Sequence, residues 1–168
     1  MDELPEYIYP AQLAEQGRRL RGLMRLTNMT RLAECIESCD GSVAVEAAFF
    51  DTEKGLHRVR GEVSGTLTVR CQRCMEQMEL PVRSGLKLQF VEEASQIEPD
   101  AEYEMVRMTR GPTSFLEVIE DELILALPIA PTHPDGRCGA TVATHASKSP
   151  LAEASDFCTR INLHTNGN

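Results

Sequence analysis

The run His57-Arg58-Val59-Arg60-Gly61-Glu62-Val63-Ser64-Gly65-Thr66-Leu67-Thr68-Val69-Arg70-Cys71 alternates with a period of two. Val59, Val63, Leu67 and Val69 share one parity with Gly61 and Gly65, and Arg58, Arg60, Glu62, Ser64, Thr66, Thr68 and Arg70 take the other. Successive side chains of a strand point to opposite faces, so this pattern predicts a half-buried antiparallel strand. It resumes after Cys74, with Met78, Leu80, Val82, Leu86, Leu88 and Phe90 on one side and Gln77, Glu79, Arg83, Lys87 and Gln89 on the other. Val43–Phe50 is also strand-like and turns at Glu53, Lys54 and Gly55, so three consecutive strands form a meander with one apolar face. Burial of Val63, Leu67, Val69, Leu80, Val82, Leu86 and Leu88 follows.

Outward from this meander the pattern is sparser. Residues 6–9 and 20–27 read as short strands, and a helical turn follows Pro10. Thr30 caps a short helix containing Leu32, Ala33 and Ile36. Residues 92–102 are acidic and contain Pro99, which reads as a loop, and Tyr103–Met108 adds an edge strand. At Thr113 or Ser114 a helix begins, with Glu117 placed for a capping box. Phe115, Ile119, Leu123 and Leu127 lie four apart, an apolar stripe that packs on the sheet, and Pro128 ends the helix. The expected fold is α+β: an antiparallel β-meander sheet, a packed amphipathic helix, and a disordered C-terminal tail. Residues 1–138 form the single domain. Residues 139–168, rich in Ala, Ser and Thr and without a period, form the tail.

The net charge of −9 is unevenly spread. Residues 1–91 hold 12 Lys and Arg against 13 Asp and Glu, whereas residues 92–168 hold 5 against 13. A nucleic-acid contact needs a basic footprint, so RNA, if touched, is touched by the first half. Arg18, Arg19, Arg21, Arg25 and Arg31 form the densest basic stretch, and Arg58, Arg60 and Arg70 extend it along the polar face of the sheet. Taken singly, each reads more readily as solvated surface. Few aromatics sit among them, which argues against a base-stacking platform. The start Met1-Asp2-Glu3-Leu4 lacks a basic, apolar secretory leader, and no apolar run reaches the length of a membrane span. The expected location is the cytoplasm, where thiols stay reduced.

Of six cysteines, Cys71 and Cys74 flank Gln72-Arg73 between the alternating strands. Parity places both thiols on one side of a two-residue hairpin. Gln-Arg is a poor pair for such a turn, and a shared metal would help hold it. Zinc in a structural site takes four ligands, and His133 and Cys138, in a turn-rich loop after the helix, supply the second pair. The competing reading has Cys71 and Cys74 as reduced core thiols and His133 on the surface. Cys35 and Cys39 lack nearby histidines and read as packing residues. No phosphate-binding glycine loop, nucleophile elbow or H-E-x-x-H occurs. Glu117, Glu120, Asp121 and Glu122 cluster on the helix. Their bland reading is a solvated face, and their sharper one is the acid–base or metal chemistry of a nuclease.

Three features together resemble the YceD family: Leu67-Thr-Val-Arg-Cys-Gln-Arg-Cys74, Ile119-Glu-Asp-Glu-Leu-Ile-Leu-Ala-Leu-Pro128, and the Pro131-Thr-His133 to Cys138 loop. The resemblance covers roughly residues 5–138. It implies a role in accumulation or processing of large-subunit ribosomal RNA and in ribosome assembly, with no catalytic residue. It also suggests a protein contact at Glu120 and Asp121. The implied partners are the large-subunit ribosomal RNA precursor or a basic ribosomal protein. The alternatives are a structural zinc module that binds a ribosomal protein rather than RNA, and a metal-dependent nuclease. Family members often end in an Asn-Pro-Phe helix with a basic finish, whereas this chain reads Ser149-Pro150-Leu151 and ends Thr165-Asn-Gly-Asn168.

Overall fold

The computed structural model describes residues 2–52, 56–92, 100–108, 111–134 and 138. Along the chain run β1 (Tyr7–Ile8), α1 (Pro10–Glu15), β2 (Arg19–Arg25), α2 (Thr30–Ala33), β3 (Ser42–Asp51), β4 (His57–Arg70), β5 (Gln77–Glu92), β6 (Glu104–Met108), β7 (Thr113–Ser114) and α3 (Phe115–Ala126). The sheet has five strands in the order β2-β3-β4-β5-β6, and β1 and β7 form a separate antiparallel pair. The fold is α+β. The turn at Glu53–Gly55 and the tail at 139–168 lie outside the described residues.

From β2 to β5 every pairing is antiparallel between sequence neighbours, the meander that the alternation predicts. Its inner face is dry: Val63, Leu67, Val69, Val82, Leu86 and Leu88 are all buried, and only Leu80 of the predicted set is half-covered. Phe49 sits at the centre, with ring centroids 6.4 Å from Phe90 and 6.1 Å from Phe115. The α3 stripe of Phe115, Ile119 and Leu123 closes over this face, as its four-residue spacing demands. Ser114 is the N-cap, and its side chain accepts from the Glu117 N–H. A second cap comes from far away, because the Glu6 carbonyl accepts from the N–H groups of Phe115 and Leu116.

Three expectations differ. The edge strand β6 runs parallel to β5, from Leu88↔Glu104 to Glu92↔Met108, so the sheet is mixed rather than wholly antiparallel. Thr30 is the first residue of α2 and not its cap; its N-cap position is Met29, which makes no side-chain cap bond, and Ile36 lies beyond the helix. The β4–β5 connection is not a two-residue hairpin. Arg70 pairs with Gln77, so the whole of Cys71–Glu76 forms the turn, and Cys74 does not start the next strand.

Candidate metal centre

The turn Cys71–Glu76 is held by its own backbone. The Cys71 N–H donates to the Glu76 carbonyl and the Met75 N–H to the Cys71 carbonyl, both at 2.9 Å. Met75 takes the left-handed conformation, φ 63°, that the reversal requires. A third bond ties this turn to the chain leaving α3: the Gln72 N–H donates to the Pro131 carbonyl at 2.8 Å. Pro128 stops α3, and the segment that follows is thereby laid against the turn. The longer connection does what the two-residue reading expected of the shorter one, since it presents both sulfurs to one point.

That point gathers four ligand atoms. Cys71 Sγ lies 3.4 Å from Cys138 Sγ, and His133 Nδ1 lies 3.4 Å from both Cys74 Sγ and Cys138 Sγ. One ligand atom from each of the four residues falls within 4.8 Å of all the others. Cys71 and Cys138 are buried, and Cys74 and His133 are half-buried. The three thiols that meet here are free. For zinc bonded at about 2.3 Å to sulfur, tetrahedral edges are about 3.8 Å, so the cluster is close to the required size. Three thiols and an imidazole are also a donor set that zinc takes.

The electrostatics fit a cation. Burial works against ionisation of Cys71, but backbone N–H groups of Cys74, Arg73 and His133 and the Cys138 thiol outweigh it and bring its pKa down to about 5. Cys74 moves the other way. A backbone hydrogen bond at Glu76 opposes the shift, but burial and the sulfurs of Cys71 and Cys138 push this thiol up. One thiolate in the cluster raises the cost of the next, and a bound divalent ion removes that cost. With four protein ligands the centre has no open position, so a metal held there is structural.

The remaining residues singled out in the sequence do not join this centre. Arg18 and Arg19 are exposed. Arg21 pairs with Glu46 at 2.8 Å, Arg25 with Glu3 at 3.0 Å and Arg70 with Glu37 at 2.7 Å. Arg58 meets Asp100 at 2.6 Å, and Arg60 meets Glu102 at 3.1 Å. Most of the basic stretch is therefore neutralised by partners within the chain. Arg31 is bound to Glu120 and Asp121. Glu120 is only 3 % exposed and faces inward, so the helix carboxylates are not the open acidic cluster that a nuclease would need. Cys35 is exposed and is not a packing residue, and Cys39, although buried in the core, is disulfide-bonded rather than a reduced packing thiol.

Two features escaped the sequence reading. Glu122 is buried and accepts from Ser84 Oγ at 3.0 Å. The available signal was Ser84 itself, a hydroxyl at the core parity of β5 between Val82 and Leu86. Tyr103 is also buried, and it lies under the guanidinium groups of Arg58 and Arg60. No local pattern announces it.

A family profile described as "Large ribosomal RNA subunit accumulation protein YceD" matches residues 59–162. The chain belongs to the YceD family. The matched span includes β4 from Val59 onward, β5, α3 and all four ligand residues. A curated YceD relative from Haemophilus influenzae, named as a large ribosomal RNA subunit accumulation protein, is 28 % identical over 144 residues, covering 81 % of this chain and 79 % of the relative. No solved structure matches. Among the described residues, no helix is long and apolar enough to cross a membrane.

Proposed function

We propose that this chain is a non-catalytic cytoplasmic factor in the accumulation of large-subunit ribosomal RNA and in ribosome assembly, built as a single domain over residues 1–138 around a structural zinc centre. The observation that carries this reading is the YceD family match across the strands, helix and ligand loop that define the site. The site chemistry agrees with it. The four-ligand centre is closed, and the helix carboxylates with the strongest geometry are spent on Arg31. In this reading Cys71, Cys74, His133 and Cys138 hold the zinc, which ties the segment after α3 to the β4–β5 turn and leaves the sheet to meet the partner.

The test is genetic and biochemical. Loss of the gene should lower the ratio of large- to small-subunit ribosomal RNA, and an unchanged ratio would sink the proposal. The partner is RNA contacted through the first half, by Arg18, Arg19, Arg21, Arg25, Arg58, Arg60 and Arg70. Recovery from lysate with and without ribonuclease separates this from the alternative of a basic ribosomal protein docking on the acidic second half. Ribosomal proteins retained after complete RNA removal would favour the alternative.

A further inference from the structure

The sheet has two unlike faces. Helix α3 and the core cover the inner one. On the outer one, register places Arg19 opposite Ala48, Ala48 opposite Arg60, and Arg60 opposite Lys87. One row perpendicular to the strands thus carries three cations across four strands, with a small residue as the only interruption. Strands lie about 4.8 Å apart, so Arg60 and Lys87 are immediate neighbours. Like charges directly opposite each other in a sheet repel, and such an arrangement calls for an anion.

The chain supplies one itself. Glu102 Oε1 lies 3.1 Å from Arg60 Nη2 and 3.5 Å from Lys87 Nζ. Two residues earlier, Asp100 Oδ2 lies 2.6 Å from Arg58 Nη2, and Arg58 also bonds Gln89 Oε1 from Nε at 3.0 Å and Nη2 at 2.8 Å. The Tyr103 ring centroid lies 4.0 Å from the Arg58 guanidinium carbon and 5.1 Å from that of Arg60. Tyr103 is 6 % exposed and fixes the turn by packing. Glu102 is not fixed in the same way: the side chains of Arg60, Glu102 and Lys87 are each more than half exposed, whereas Asp100 sits on an Arg58 side chain that is 15 % exposed and also accepts the Glu102 N–H. Ion pairs in water contribute little and exchange readily. The Glu102 side chain can therefore rotate off the row while Tyr103 keeps the two guanidinium groups stacked.

We propose that Glu102 is a built-in carboxylate plug on a phosphate-binding row made by Arg60, Lys87 and Arg19, seated there by the fixed Asp100–Arg58 pair and Tyr103, and that the phosphodiester backbone of RNA displaces it. The inference rests on the reading of this protein as an RNA-associated factor and adds how that contact is restrained. A phosphate brings the same charge to the same donors, and Arg presents several donors to it at once. The plug lowers affinity for stray RNA and leaves net binding to strands that engage the whole row.

The test measures binding of the full chain to a labelled single-stranded RNA oligonucleotide by fluorescence anisotropy over a salt series. Glu102→Gln removes the plug's charge and leaves Asp100 on Arg58 and on the residue 102 N–H. A charge-matched control, Glu15→Gln, neutralises one exposed carboxylate on another element. The plug variant should bind about fivefold more tightly than the control near 0.1 M salt. Its log–log salt slope should steepen by roughly 0.7, the value for one phosphate. Adding Arg60→Gln/Lys87→Gln should erase the gain. If the parent binds RNA and the plug variant only equals the control, the plug is overturned while the RNA reading stands. If neither parent nor variant binds RNA, both fall. Matching thermal unfolding of parent and variants excludes a folding defect as the cause of any difference.

Discussion

Glu120 on α3 caps the N-terminus of α2 from across the molecule: its Oε1 accepts the backbone N–H of Arg31 at 2.6 Å, and that of Leu32 at 2.9 Å. The Arg31 side chain then closes on the same carboxylate, with Nε 3.1 Å from Oε2, and reaches Asp121 at 2.6 Å. A four-residue helix has no stability of its own, and α2 carries no side-chain cap. One buried carboxylate replaces that cap and locks α2 to α3. Glu120→Ala strands two backbone donors and should cost roughly 2–4 kcal/mol in urea unfolding. Glu120→Gln keeps one acceptor oxygen and should cost less. Equal, small losses in both variants would show that the clamp is incidental.

Glu122 lies two residues beyond Glu120 on α3 and accepts from Ser84 Oγ. Burial is the main force raising its pKa, opposed by Ser84 and assisted by the charges of Glu104 and Asp121. A carboxyl raised in the folded state takes up its proton there before the unfolded chain does. Its ionisation penalty is therefore full at neutral pH and shrinks as pH falls through the folded pKa toward the unfolded value. Glu122→Gln, which can still accept from Ser84, should melt higher than the parent at pH 7, and the two should converge on acidification. A variant that melts lower at pH 7 would refute this.

The fold was legible where the chain repeats itself. Alternation over 57–90 marked β4 and β5 because one side of each is dry, and the four-residue stripe marked α3 for the same reason. The cysteine–histidine set was legible because thiols and imidazole at loop positions have few other uses. Parity failed at Cys74, since a turn such as Cys71–Glu76 breaks the period without changing composition. The Glu120–Arg31 clamp was not legible. A carboxylate that bonds a backbone N–H 89 residues away leaves no periodic trace. The same holds for the ion pairs on the outer face, where single residues read as solvated although partners distant in sequence neutralise them.

Glu37 gives a pH dependence of the ordinary sign. Hydrogen bonds from Arg70, against a smaller opposing effect of burial, hold its carboxyl below the usual range. The contacts are bidentate, at 3.0 Å and 2.7 Å. A depressed folded pKa contributes stability above the unfolded value, and that stability is lost as pH falls through the folded one. Arg70→Gln should therefore destabilise at pH 7 and match the parent at strongly acid pH. A constant offset across the range would mean that packing of the arginine stem, not the ion pair, is what was lost.

Metal removal tests the centre directly. Protein purified without a histidine tag should carry about one zinc per chain. If zinc is present at a thousand times its dissociation constant, binding stabilises the fold by about 4 kcal/mol. For a domain of this size that corresponds to roughly 10 °C in Tm. Chelation should lower Tm by that order, and re-addition of zinc should restore it. Cys138→Ser should release most of the zinc, because the serine oxygen is a poor substitute for a buried sulfur that sits 3.4 Å from both Cys71 Sγ and His133 Nδ1. Cys35→Ser, at an exposed thiol outside the cluster, should leave zinc content and Tm unchanged. Substoichiometric zinc together with a Tm indifferent to chelation would leave the four residues as a packed thiol cluster and nothing more.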